Sequence, residues 1–187
     1  MEQRCETLII GGSAGSLDVL LKVLPDLKAD LAFAIILVLH RKSGRDNMLT
    51  ELLRSKTGLR VKELEEKEQI KATNIYIVPP NYHLLIENNR TFSLDVSEKV
   101  SFSRPSIDVT FESAAEVFRE ALVCLLLSGS NSDGTDGSRK VKANGGRVFV
   151  QNPISAGSPF MPQNAKEHGN IDAVLNIEEI AEFVNHL

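Results

Sequence analysis

The chain has no tryptophan and only two tyrosines among its 187 residues, and its net charge is -4. With few aromatics to stack bases and no excess of positive charge, a general affinity for nucleic acid is not expected. Cysteine is equally scarce. Cys5 and Cys124 have neither CxxC spacing nor histidine-rich company, so no disulfide framework or zinc site is expected, and both read as small core residues. Long apolar runs are missing too. The longest, Leu31 to Leu39, has nine residues, far short of the roughly 20 that span a bilayer. The start Met1-Glu2-Gln3-Arg4-Cys5 lacks a secretory pattern, so a soluble, cytoplasmic protein without membrane insertion is expected.

What is present is a balanced globular composition, 42% hydrophobic and 25% charged. It fits a single domain over residues 1–187, large enough to bury roughly 70% of its unfolded surface. Apolar strand-like runs recur at 6–10, 33–39, 74–78, 122–127, 147–150 and 173–175, and amphipathic stretches separate most of them. This alternation predicts an α/β fold, doubly wound around a mainly parallel sheet. Leu17, Leu20, Leu21 and Leu24 lie on one helical face, and Pro25 stops the pattern. Met48, Leu49, Leu52 and Leu53 mark a second helix; Ile107, Phe111, Ala114, Ala115 and Phe118 line a third, with Ser106 as its N-cap. A last helix starts at Asn176, with Glu179 completing a capping box. Between the second and third, two short apolar runs flank Asn88-Asn89, residues that tolerate positive φ, which predicts an appended antiparallel hairpin. Glu63 to Lys71, with six charges in nine residues, reads as a solvated loop or edge.

Residues Gly11 to Gly15 read Gly-Gly-Ser-Ala-Gly, between the apolar run Thr7-Leu8-Ile9-Ile10 and a helix-like stretch from about Ser16. A G-x-S-x-G turn from strand to helix is a setting in which a serine becomes a nucleophile, because glycines permit the sharp turn and the helix amides face a developing oxyanion. Small Gly/Ser loops after a first strand also bind phosphate or merely turn the chain. The dinucleotide fingerprint fails, since Ser13 and Ser16 stand where it needs glycine, and no Lys-Ser or Lys-Thr follows for a phosphate loop.

A nucleophile at Ser13 needs a base. His40 directly follows the run 34–39 and would emerge at the same carboxyl edge of the sheet, where sites form in open α/β folds. His168 is the rival, because Ser13, Asp133, His168 would follow the chain order of α/β-hydrolases, but it sits at a helix end before Gly169. His83 reads as a turn residue at the head of the hairpin, and His186 as a terminal one. For the acid, the run 121–127 opens into Ser128-Gly-Ser-Asn-Ser-Asp-Gly-Thr-Asp-Gly137, where Asp133 would orient His40 and Asp136 would lie at the next helix's start. The alternative is that both acids merely cap that helix. A calcium loop fails, since Asp136 and Lys142 stand where the EF-hand needs glycine and glutamate.

With Ser13, His40 and Asp133 in that order, the chain resembles the catalytic domain of bacterial chemotaxis-receptor methylesterases, the CheB-type protein-glutamate methylesterases. The marks run from Leu8 to Leu187: the Gly-Gly-Ser-Ala-Gly turn, the strand ending in His40, Arg104-Pro-Ser-Ile-Asp108, Leu127-Ser-Gly-Ser-Asn-Ser-Asp-Gly134, Asn144-Gly-Gly-Arg147 and Met161-Pro162. The resemblance implies Ser13 as nucleophile, His40 as general base and acid, Asp133 as orienting carboxylate, and the backbone amides of Ala14 and Ser130 as oxyanion donors. It implies hydrolysis of glutamyl methyl esters on chemoreceptor helices, glutamine deamidation as a related activity, and no metal or organic cofactor. Ala14 replaces the threonine common after the nucleophile, Ser130-Asn131-Ser132 departs from the usual Met-Gly-Asn, and Phe160 replaces the glycine usual before Met-Pro. The family's usual amino-terminal receiver domain is not in this sequence, so a separate regulatory domain or protein is expected. A small-molecule serine esterase and a catalytically silent receptor-docking domain are the competing readings.

Overall fold

The computed structural model describes residues 4–41 and 47–187. Met1 to Gln3, part of the start read above for a secretory pattern, lie outside the described residues. The fold is built on two apolar strands, β1 (Thr7–Gly12) and β2 (Ala34–Leu39), which pair in parallel and are buried at every position. Such continuous burial marks strands covered on both faces. Next come α1 (Ser16–Val23) between them, α2 (Asn47–Arg54), β3 (Arg60–Glu63), β4 (Asn74–Ile77), β5 (His83–Ile86), β6 (Phe92–Asp95) and α3 (Ile107–Phe118). The chain ends with β7 (Leu122–Leu126), α4 (Thr135–Ala143), β8 (Arg147–Gln151), α5 (Phe160–His168), β9 (Ala173–Leu175) and α6 (Ile177–Asn185).

Seven strands form one sheet in the order β3-β4-β2-β1-β7-β8-β9, and every pairing in it is parallel. Side chains alternate between its faces with the period of two that a strand dictates. Leu8, Ile10, Val123 and Leu125 face one core with Val19, Leu20 and Val23 of α1 and Ile180 and Val184 of α6. Ile9, Cys124 and Leu126 face the other, beneath Phe111 and Phe118 of α3, Val141 of α4 and Met161 of α5. Helices therefore cover both faces, and the doubly wound α/β architecture read from the alternation is the one observed. Both cysteines are free and buried, and burial pushes the Cys5 thiol up to about 12. Among the described residues no helix is long and apolar enough to cross a membrane.

Three details differ from the reading of the sequence. Arg60 to Glu63 is the edge strand β3, in which only Val61 is buried, so its charged neighbours hide the pattern. The hairpin β5–β6 forms a separate two-stranded sheet, and its turn takes positive φ at Arg90 rather than at Asn88 or Asn89. It is tied to α3, since Thr110 Oγ1 donates to Leu84 O over 3.1 Å and Ile86 N to Ser113 Oγ over 3.1 Å. In α2, Leu53 is buried whereas Met48 and Leu52 face solvent.

The strand order reverses at β1, which lies between β2 and β7. The loops leaving β1 and β7 diverge there, at a crevice on the carboxyl edge. Helices α3 and α4 meet just behind it, close enough that only glycine fits at 137. A Cβ on Gly137 would lie 2.7 Å from Phe111 Cβ and 3.0 Å from Asp108 Cα. Gly137→Ala is therefore expected to destabilise the fold by about 1–3 kcal/mol, as overpacking does. Urea unfolding should show a lower midpoint with an unchanged slope.

Candidate functional site

Ser13 is the first residue after β1, in a turn that Gly15 completes in the left-handed region at φ 82°. Its N–H donates to Ser128 O over 2.9 Å, and its own carbonyl accepts from Ser16 N at 3.1 Å and Ser16 Oγ at 2.6 Å. Every backbone direction around Ser13 is thus fixed, while its Oγ has no hydrogen-bond partner among the described residues. His40 follows β2 in the adjacent strand. Its N–H donates to Gly12 O over 3.0 Å, extending the register that pairs Gly12 with Leu39, so Ser13 and His40 are next along the same edge.

Asp133 comes from the loop after β7 and is fully buried. Its Oδ2 accepts from His40 Nε2 at 2.7 Å and from Ile107 N at 2.7 Å. Its Oδ1 accepts from Ser106 Oγ at 2.9 Å, Asp108 N at 2.9 Å and Gly134 N at 3.1 Å. The carboxylate thus sits on the first amides of α3, where free N–H groups and the helix dipole favour a negative charge. Burial would raise its pKa, but the His40 hydrogen bond and the Asp108 and Ile107 amides outweigh burial and hold it below the usual carboxylate range. An ionised Asp133 requires a proton on Nε2 of His40. Nδ1 of the neutral ring is then left as the acceptor.

The arrangement is reciprocal. Asp108, in the first turn of α3, accepts from Gly134 N at 2.9 Å and Gly137 N at 2.6 Å, so each acid caps the helix that the other one precedes or begins. The alternative in which Asp133 and Asp136 merely cap α4 is replaced by this exchange. Asp136 is exposed and pairs with Arg139. Burial, reinforced by the charge of Asp133, pushes Asp108 up from 3.8 to about 7.

The loop 128–134 is held along its length. Ser128 N donates to the buried Gln151 Oε1 over 2.9 Å, and Ser128 Oγ donates to Ala14 O over 2.6 Å. Gly129 exchanges backbone bonds with Ser158 and Met161, at 3.0 and 2.9 Å. Asn131, which stands where the resemblance would place glycine, is absent from the residues with positive φ, and its Oδ1 accepts from Asp133 N at 3.1 Å. A non-glycine side chain therefore fits and supports the acid. The N–H groups of Ala14 and Ser130 have no acceptor among the described residues.

The other histidines lie elsewhere. His83 is buried rather than a turn residue: its Nε2 donates to Glu98 O over 2.8 Å and its Nδ1 accepts from Ser106 N at 3.1 Å, which anchors the start of α3. His168 is exposed at the end of α5 beside Glu167, and Asp133 bonds to His40 instead. His186 caps α6 on the surface through Glu182 O. Two clefts flank the site. One of about 530 Å³ is lined by His40, Arg41, Asn81, Lys99, Phe102, Ser103 and Arg104. The other, about 480 Å³ and mostly apolar, runs from Ser130 past Pro159 to the half-exposed Phe160.

Because Asp108 is raised, the native state keeps a proton between roughly pH 4 and 7 that the unfolded chain has released. Stability contributed by this group is therefore present in acid and lost as pH rises toward 7. Asp133 has the opposite sign: its contribution is present above the unfolded value and lost as pH falls through its lowered native pKa. Asp108→Asn keeps an acceptor for the Gly134 and Gly137 amides but cannot ionise. Urea midpoints should fall with rising pH in the wild type relative to Asp108→Asn, with the difference levelling above about pH 7; parallel profiles would refute the assignment.

The family model described as CheB methylesterase matches residues 8–184. The chain is 44% identical over 178 residues to a protein of Leptospira interrogans, covering 95% of this chain and 92% of that one. It is 34% identical over 178 residues to a Thermotoga maritima protein named protein-glutamate methylesterase/protein-glutamine glutaminase, covering 94% of this chain. It spans 52% of that relative's length. The crystal structure of the Thermotoga maritima CheB methylesterase catalytic domain superposes with a TM-score of 0.93 at 32% identity, covering 97% of this chain and 98% of the other. Agreement of the family model, the sequence relatives and the solved fold over nearly the whole length places the chain in the CheB methylesterase family.

Proposed function

We propose that the protein is a serine hydrolase that demethylates glutamyl methyl esters on chemoreceptor helices, with glutamine deamidation as a related activity at the same site. The observation that carries this reading is the His40–Asp133 pair beside Ser13. A buried, ionised carboxylate fixes the proton on Nε2 and leaves Nδ1 as the basic nitrogen of a histidine whose backbone N–H bonds to Gly12, the residue before Ser13. The family supplies the ester class, since its relatives carry the names protein-glutamate methylesterase and protein-glutamine glutaminase.

In this mechanism Ser13 Oγ attacks the ester carbonyl while His40 Nδ1 takes its proton. The charge that develops on the carbonyl oxygen faces the uncommitted amides of Ala14 and Ser130. His40 then returns the proton to departing methoxide, and methanol leaves. Water, deprotonated by the same nitrogen, attacks the glutamyl ester of Ser13 and releases glutamate. Asp133 stays ionised throughout and holds the ring as it becomes an imidazolium. No step calls for a metal or an organic cofactor. Arg41, Lys99 and Arg104 along the adjoining cleft suit a substrate helix rich in carboxylates.

Methanol release from a methylated receptor measures the activity. Ser13→Ala is expected to lose about 10⁴-fold or more in kcat while remaining folded. A Ser13→Ala rate equal to the wild type would remove the mechanism.

A further inference from the structure

His40 Nδ1 is the nitrogen left to receive the Ser13 proton, and another hydroxyl already lies against it. Ser103 Oγ is 3.3 Å from His40 Nδ1. Two further contacts hold it there: Asn131 Nδ2 donates to Ser103 Oγ over 3.4 Å, and Ser101 O lies 3.4 Å away as a second acceptor for the Ser103 proton. With the Nε2 proton committed to Asp133, Nδ1 of the neutral ring can only accept, so the Ser103 O–H points at the lone pair that the reaction needs.

The backbone that delivers Ser103 is a tight turn of unfavourable composition. Val100 and Ser103 exchange backbone hydrogen bonds of 3.2 and 2.9 Å, and the two residues between them, Ser101 and Phe102, have φ of 51° and 61°. Turns with two positive φ values favour Asn and Gly, not Ser and Phe. Phe102 is 96% exposed, so packing of its ring does not offset that cost. Backbone strain of this kind is characteristic of segments that place a group at a site.

We propose that Ser103 is a positioning residue that occupies the base nitrogen of His40 in the substrate-free site, and that Ser13 must compete with it for that nitrogen. The proposal rests on the reading of Ser13 as the nucleophile. When Ser13 attacks, its O–H bond breaks as the Oγ–carbon bond forms, and the proton moves to Nδ1. Ser103 no longer has a lone pair to donate to, and its hydroxyl turns to Ser101 O. The contact therefore restrains the base at rest without opposing its protonated form.

An alkyl fluorophosphonate tests this without knowledge of the receptor, because the serine oxygen displaces fluoride to form a bond to phosphorus and peptide mapping shows which serine reacted. Ser103→Ala and Ser103→Val, checked for folding by thermal melting, should each label at Ser13 about two- to tenfold faster than wild type, the worth of one hydrogen bond. Ser103→Thr keeps the hydroxyl and should label at the wild-type rate. Labelling of Ser13 in the Ala and Val variants at or below the wild-type rate would overturn the proposal and leave the nucleophile reading intact. Label on Ser103 itself, or no label on folded wild-type protein, would overturn both.

Discussion

The arrangement at the sheet edge depends on one buried carboxylate. Asp133 is removed from water, and an ion in that position is tolerated only where hydrogen bonds replace its hydration. Five donors do so: the His40 ring, the Ser106 hydroxyl, and the amides of Ile107, Asp108 and Gly134. Three of these belong to the entry of α3, so the same charge that aligns the imidazole also pins a helix start to the loop after β7. Asp108 returns the contact by holding the Gly134 and Gly137 amides. Helix entry, loop and histidine form a single unit, and a change at any one of them is felt by the others.

Topology explains why this unit stands beside Ser13. Because β1 is flanked by β2 and β7, the residues that follow these three strands emerge side by side at one crevice. Ser13, His40 and Ser128 are the first or second residues beyond their strands, and backbone bonds link Gly12 to His40 and Ser13 to Ser128. The rigid parallel ladder sets the spacing of the groups, and short loops add little freedom to it. The likeness to a solved catalytic domain at a TM-score of 0.93 shows the same scaffold in another chain at only 32% identity.

The parts of this site that are legible in the sequence are those that local pattern announces. Ser13, His40 and the Asp133 loop each follow an apolar run long enough to be a buried strand, so their place at the carboxyl edge follows from periodicity alone. The edge strand β3 is hidden because Arg60 and Lys62 flank its single buried residue, Val61, and alternation over four residues is a weak signal. Asp108 and Ser103 are hidden for a different reason. Their importance comes from contacts with residues 25 or more positions away, and nothing local distinguishes Asp108 from an ordinary first-turn acid. Asn131 is legible only as a departure from glycine; its side-chain bonds to Asp133 N and to the 101–103 turn explain why the loop accepts it.

The central claim is that Asp133 fixes the proton on Nε2 of His40 and leaves Nδ1 as the base. Nitrogen-resolved NMR of the neutral form of the His40 ring in substrate-free protein reads this directly. The single proton of that neutral ring should sit on Nε2, with Nδ1 bare. A ring protonated at Nδ1, with Nε2 bare, would contradict it.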